Sequence, residues 1–493
     1  MRAIKEKTIR GGAAKFIGQV HSVLVRVGTL VVLTHTIDPG DFGLVAMVTA
    51  ISGVFDIVTG GLSAATIQKA DVSHEQVSTL FWINIAISAS LMVLCMAGGP
   101  IVAAFYHEPR TVWIMASIAP ALVINAASVQ HVSLMQRELR YVAITLIEII
   151  SQSVAAGLAI GLALAGYGYW ALVANMVAAS IVTAVGAWAA SGWRPGRPRL
   201  DNEITSLLRF GGTVTVNGLV VYVGFNFEKV LLGRYWGSDA LGLYGRAFQL
   251  ISLPTSNLNA AIGGVAFAAL SRLQNDPERF RTYFLRGYSV LLSMTVPATI
   301  FCALFADDIV VVVLGPAWTD AAVISRLLSP TILIFGIINP LGWLLPSIGK
   351  QRRSLKIAFV VAPLVNAACV VGLPFGPSGV ALAYSTALAV WLVPHVMWCL
   401  HGTVISVRDL CITAARPLLS GAVAALAATA LSSDTAGLGP PVMRLALGGV
   451  VMLSVYAWFL LIIMQQKSFY FGLLTELFPA INKFSRKDAW RAT

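Results

Sequence analysis

GGAAKFIGQVHSVLVRVGTLVVLTHTIDPGDFGL, residues 11–44, decides the fold, because residues 211–243, GGTVTVNGLVVYVGFNFEKVLLGRYWGSDALGL, repeat its layout. Each stretch opens on a Gly-Gly pair and places another glycine seven residues on, Gly18 in one and Gly218 in the other. Each continues as a long apolar run with charge inside it. Each closes, after a short loop, on a glycine-centred triplet: Phe42-Gly43-Leu44 and Leu241-Gly242-Leu243. Two copies of one helical unit in a single apolar chain imply two lobes with a path between them, the plan of a membrane transporter.

Composition agrees. Of 493 residues, 57% are hydrophobic and 11% charged, against about 25% charged in a soluble domain. That much apolar surface needs lipid as its solvent. A spanning helix takes about 20 mostly apolar residues. By that measure fourteen candidates run over 12–36, 43–66, 78–105, 111–134, 142–165, 168–190, 212–236, 242–270, 287–306, 319–347, 355–373, 378–400, 411–431 and 441–465. The expected architecture is an all-α integral membrane protein of about 14 transmembrane helices, two pseudo-symmetric six-helix lobes plus two C-terminal helices. Residues 1–190 form the N-lobe and 212–400 the C-lobe, joined by a basic linker at 191–211. Residues 401–465 hold helices 13 and 14, and 466–493 an amphipathic tail with Phe471, Leu474, Phe478, Ile481 and Phe484 at helical spacing.

The net charge of +12 invites a nucleic-acid reading, which the placement of the charges removes. Lys and Arg crowd the connections on one side; only Arg110, Arg234, Arg246 and Arg444 fall on the other. This is the positive-inside pattern, and it puts both termini in the cytosol of a multi-pass inner-membrane protein. The five cysteines sit in or beside apolar runs without metal spacing, so they read as packing residues. The basic start is followed by an apolar stretch interrupted by Lys15, His21 and Arg26, which reads as an uncleaved first helix. The chain carries no Walker A pattern, no nucleophile elbow and no large soluble segment, which argues against an enzyme.

A charge at mid-bilayer costs about 2.5–3.5 kcal/mol on insertion scales, so one that persists faces water or a partner. Arg26 falls near the middle of helix 1, Asp56 of helix 2, Glu228 and Lys229 just past the middle of helix 7, Glu148 inside helix 5 and Arg326 inside helix 10. One reading is a cationic path in which Arg26, Lys229 and Arg326 bind an anionic group. The other is structural pairing, with Arg26 on Asp56 and Glu228 beside Lys229. Asp56, Glu148 and Glu228 are candidates for the path and for a coupling ion, H+ or Na+; no other cofactor is expected. Lys15, one turn from the cytosol, reads as snorkelling.

Gly61-Leu62-Ser63-Ala64-Ala65-Thr66-Ile67-Gln68-Lys69 with Ser78-Thr79-Leu80-Phe81-Trp82-Ile83-Asn84, and Leu241 to Leu250 before Pro254, resemble the WzxC-like branch of the polysaccharide transporter family. Gly166 to Val173, Leu314-Gly315-Pro316-Ala317-Trp318 and Gly379 to Ser385 resemble its weaker signatures. The resemblance covers about residues 8–400. It implies the multidrug/oligosaccharidyl-lipid/polysaccharide exporter superfamily, alternating access, and transfer of undecaprenyl-diphosphate-linked oligosaccharides; the chain's length and composition suggest a succinoglycan-type exopolysaccharide as the product. The implied partners are the lipid-linked oligosaccharide and membrane lipids, with a polysaccharide polymerase and a chain-length regulator; nucleic acid is not among them. The competing readings are a drug or cation antiporter of the same superfamily and an integral-membrane polysaccharide polymerase.

Overall fold

The computed structural model describes residues 2–68, 72–199, 202–435 and 439–477, and every regular element there is helical. In chain order these are α1 (Arg2–Thr36), α2 (Pro39–Gln68), α3 (His74–Tyr106), α4 (Arg110–Ile118), α5 (Pro120–Arg137), α6 (Tyr141–Leu164), α7 (Tyr169–Ser191) and α8 (Asn202–Leu273). They continue as α9 (Pro277–Leu304), α10 (Ala306–Val313), α11 (Ala321–Leu328), α12 (Pro330–Ser347), α13 (Gln351–Gly372), α14 (Gly376–Leu400), α15 (Val407–Thr435), α16 (Pro441–Trp458) and α17 (Lys467–Leu477). Of the tail residues singled out above, Phe478, Ile481 and Phe484 lie outside the described residues.

Among the described residues, eleven helical stretches are long and apolar enough to cross a membrane. One of them, Gln351–Leu400, is 50 residues long and joins α13 to α14 through a 3-10 turn at Leu373–Phe375. At 1.5 Å per residue it would run about 75 Å, far more than one crossing of a hydrocarbon core of about 30 Å. The 72-residue α8 is likewise two helices, parted at Gly237, whose φ of 82° is open to glycine and strained for other residues. The boundary falls between the two spans expected at 212–236 and 242–270.

Two expected spans hold as single apolar stretches but are interrupted in their hydrogen-bond ladder. The stretch at 111–134 divides into α4 and α5 at Pro120, and the one at 319–347 into α11 and α12 at Pro330. Proline has no N–H to give the carbonyl four residues back, so the ladder parts there. Hydropathy windows do not register a missing donor, and the eight-residue α10 was too short to be found by them.

The chain forms two compact units. The first holds residues 1–247, 313–324 and 360–384; the second holds 248–312, 325–359 and 385–493. In the first, α6 packs along α1 and α7, and α5 lies against α2, α3 and α7. In the second, α9 packs against α12, α15 and α16, and Tyr470 of α17 hydrogen-bonds Ser293 of α9.

The repeat seen in the sequence becomes a contact inside the first unit. A Cβ on Gly43 would fall on the Ser238 carbonyl, and one on Gly242 on the Pro39 carbonyl, with the Gly43 nitrogen 3.2 Å away. Pro39 and Ser238 each stand four residues before their own glycine, so the contact is reciprocal, as a two-fold relation requires. Phe42 beside it meets the Trp318 ring edge-on at 5.2 Å, and the Arg246 guanidinium lies 4.3 Å from the Phe42 centroid. The Trp318 Nε1 donates to the Thr34 carbonyl at 2.8 Å.

The basic linker is a fixed strap over residues 192–199. Trp193 Nε1 meets His74 Nδ1 at 3.1 Å, and the Gly196 amide donates to Ser78 Oγ at 2.9 Å. The Arg199 amide donates to Thr79 Oγ1 at 2.8 Å, while Trp82 Nε1 donates to the Gly196 carbonyl at 2.9 Å. The receiving helix end is itself closed by a capping box between Ser73 and Gln76.

The glycine crossing generates a sharp expectation. Gly43→Ala forces a backbone shift and should cost about 1–3 kcal/mol or more, the range for overpacking, read as a lowered melting temperature in detergent. Gly157→Ala, where nothing lies within 4 Å, should leave melting within error of the parent protein.

Candidate functional site

Arg26 stands at the middle of the 23-residue span Ala14–Thr36. Its side chain is exposed and forms no ion pair or hydrogen bond among the described residues. The Arg26–Asp56 pair considered above is therefore not formed. The same helix is tied to α6 lower down: Lys15 Nζ reaches both Glu148 carboxylate oxygens, at 2.8 and 3.0 Å, and His21 Nε2 meets Ser153 Oγ at 3.1 Å. Lys15 is thus paired, not merely snorkelling, and Glu148 is committed to it.

Glu228 and Lys229 diverge, as adjacent helical positions must. Lys229 donates to Asn226 Oδ1 at 2.7 Å, and Asn226 is steadied by donating to the Tyr222 carbonyl at 2.9 Å. Glu228 is 2% exposed, and its Oε1 has no hydrogen-bond partner among the described residues. Tyr244, Cys369 and Tyr384 lie within electrostatic reach of it. Arg326 differs from both: it pairs with Asp307 in the first turn of α10. Asp308, the next residue, is bound by Arg444 of α16. The pairing reading holds for Arg326; Lys229 is engaged with Asn226, and Arg26 has neither an ion pair nor a hydrogen bond among the described residues.

Asp56 opens on a cavity of about 320 Å³ within the first unit, shared with Ser52, Cys95, Asn125, Asn175 and Ser180. Its wall also includes Ile118, Ala119 and Ala121, the residues at the α4–α5 break. The corresponding break in the second unit is closed. Ser329 Oγ donates to the Arg326 carbonyl at 2.8 Å, Ser385 Oγ to Leu327 at 2.7 Å and Thr331 Oγ1 to Leu328 at 2.6 Å. The counterparts of Ser329 and Thr331 in the first break are Ala119 and Ala121, which have no hydroxyl. No side chain among the described residues donates to the carbonyls of Ala116, Ser117 or Ile118. Irregular backbone at membrane depth is tolerated where it lines a cavity, and this one does.

Sequence reading marked Asp56 but missed Asn175, Ser52 and Ser180. Single Ser and Asn residues are common in membrane helices, and no fixed spacing links positions on different helices.

Fold and site define a class: a polytopic all-α membrane protein with an internal repeat and charged groups at membrane depth. The model of the family described as "Polysaccharide biosynthesis protein" matches residues 32–323, and the chain belongs to that family. The resemblance read from residues 61–84 and 241–254 is borne out. The chain is 25% identical over 390 residues to Lipopolysaccharide biosynthesis protein WzxC of Escherichia coli (strain K12), covering 78% of each chain. It is 24% identical over 319 residues to Succinoglycan biosynthesis transport protein ExoT of Rhizobium meliloti (strain 1021), covering 64% of each. Its fold matches lipid II flippase MurJ in an inward closed conformation with a TM-score of 0.73 at 15% identity, over 94% of this chain and all of that one. An inward-facing MATE family multidrug transporter matches with a TM-score of 0.60 at 13% identity, over 76% of this chain and 93% of the other.

The Lys15–Glu148 pair has side chains 41% and 45% exposed, so its net contribution falls in the range of about 0–1 kcal/mol for accessible pairs. Glu148→Gln should accordingly leave the detergent melting temperature nearly unchanged, and a large drop would show the pair to be far better shielded than its exposure indicates.

Proposed function

We propose that the protein moves undecaprenyl-diphosphate-linked oligosaccharide repeat units across the bacterial inner membrane by alternating access, for exopolysaccharide or lipopolysaccharide assembly. The observation that carries this reading is Arg26, an exposed guanidinium at mid-span with no carboxylate partner among the described residues. A guanidinium at such depth is retained against its insertion cost for an anionic ligand or an aqueous path. Its planar fork matches phosphate oxygens two at a time. Lys229, steadied by Asn226, supplies a second cation. The likeness to WzxC and to ExoT, whose names refer to lipopolysaccharide and succinoglycan biosynthesis, supports the cargo class. The fold shared with a lipid II flippase supports a path for a polar head on a lipid tail.

In this mechanism the diphosphate head enters from the cytosol and engages Arg26 and Lys229, while the polyprenyl tail stays in lipid along α15 and α16. Rearrangement then opens the head to the other side. The Lys/Arg asymmetry supports cytosolic termini. A coupling ion, H+ or Na+, acts at Asp56 or Glu228, because Lys15 already holds Glu148. A polysaccharide polymerase and a chain-length regulator take over the delivered units.

A strain lacking this gene should accumulate complete lipid-linked repeat units on the cytosolic leaflet, measured by extraction and leaflet-selective labelling. Complementation with Arg26→Ala plus Lys229→Ala should leave export at the level of the deletion. Full export by that double variant would remove both residues from the path. Repeat units already on the outer leaflet of the deletion strain would favour a polymerase, and drug sensitivity without any accumulation would favour an antiporter.

A further inference from the structure

Asn84, Ser88 and His131 are each 0% exposed, and among the described residues Asn84 Nδ2 and Oδ1, Ser88 Oγ and His131 Nε2 have no hydrogen-bond partner. A buried polar atom left unpaired costs about 1–3 kcal/mol; several in one region imply internal water between them. They also fall in line. Asn84, Ser88 and Cys95 follow at helical steps of four and seven on one face of α3. On α5, which packs against α3, Asn125 and His131 lie about 9 Å apart along the axis.

Two contacts set the levels. The Phe81 and His131 ring centroids are 6.2 Å apart, near the strap end of both helices. Cys95 and Asn125 both line the Asp56 cavity. Asn84 and Ser88 lie between Phe81 and Cys95 along α3, and so occupy the stretch between the cavity and His131. Beyond His131, its Nδ1 meets Ser191 Oγ at 2.7 Å, where the strap begins.

We propose that the Asp56 cavity is a proton-binding site, and that Ser88, Asn84 and His131, with water between them, form its proton path to the strap end of the membrane. The inference rests on the flippase reading for its purpose and names the coupling ion that reading left open. The cavity presents a carboxylate, two side-chain amides, two hydroxyls and an unclosed helix break, and among the described residues no Lys, Arg or His lines it. Such an acceptor-rich wall calls for positive charge. The side chains along the path are closed to solvent, which suits hand-over of protons through water, imidazole and hydroxyl and excludes passage of a hydrated metal ion. Each water, the Ser88 hydroxyl and the His131 imidazole takes a proton on one side and releases another on the far side, then reorients before the next passage, while the Asn84 amide orders the water by hydrogen bonds and is not itself protonated.

The groups facing these two centres are few. Cys95 and Tyr222 are within electrostatic reach of Asp56. Around His131 stand the Phe81, Trp188 and Trp193 rings and Ser191. Arg140 donates to the Ala190 and Ser191 carbonyls, and Arg137 to the Thr66 carbonyl.

The test uses the full chain in vesicles made from the lipid extract of the deletion strain, with a pH-sensitive dye inside and an imposed potassium diffusion potential. The parent protein should carry protons faster than protein-free vesicles, and Asp56→Asn should fall to the protein-free rate. Ser88→Ala and His131→Phe should each slow the flux; both are to be scored only as monodisperse protein with parental melting. Proton flux by Asp56→Asn equal to that of the parent, no flux from the parent, or radioactive sodium uptake in its place would overturn the proposal. The flippase reading is judged separately, by accumulation in the deletion strain: accumulation without Asp56-dependent flux sinks this inference alone, and flux without accumulation sinks the other.

Discussion

The approach of Gly43 to the Ser238 carbonyl, mirrored by Gly242 on the Pro39 carbonyl, is the constraint on which the first unit depends. Two helix starts can cross this closely only where neither has a side chain, the same logic by which small residues let membrane helices pack backbone to backbone. Around it, Phe42, Trp318 and Arg246 build a tight aromatic and cationic cluster. Because the crossing joins residues about 199 apart in the chain, it makes the repeat a physical contact and not only a pattern.

From that symmetric contact the two halves diverge in one respect that matters for chemistry. Both carry a proline break in the helix at the equivalent place, and both thereby release backbone carbonyls. Three hydroxyls close one break, and two alanines leave the other facing a polar cavity. The cationic groups follow the same inequality. Arg326 beside the closed break is neutralised by Asp307, whereas Arg26 has no such partner. Duplication thus supplied the frame, and small substitutions at 119 and 121 against 329 and 331 set one half apart from the other.

Much of this was legible in the residues. The glycine triplets, the apolar periodicity and the Lys/Arg asymmetry pointed to a duplicated helical membrane protein, and the blocks at 61–84 and 241–254 pointed to its family. What the residues did not reveal was partnership. Lys15 and Glu148 are 133 positions apart, and nothing local to either announces the other. Pro120 and Pro330 were visible, yet a window that averages apolarity treats each broken helix as continuous. Asn84 sat inside a quoted motif, and His131 lay in an expected span. Their interest comes from having no partner, which is a property of the neighbours and only coordinates disclose it.

The strap over 192–199 has a consequence for how the molecule sits in its bilayer. Trp82 and Trp193 are both bound to it or within it, and Trp188 stacks close by on His131. Indole rings settle at the boundary between headgroups and hydrocarbon. Gathering three of them around one end of α3, with Trp188 anchored to the Ala127 carbonyl of α5, therefore works as a depth gauge, holding that end at a chosen level. A thinner or thicker membrane would have to deform around the gauge or tilt the helix, so lipid chain length becomes a variable that this protein is built to feel.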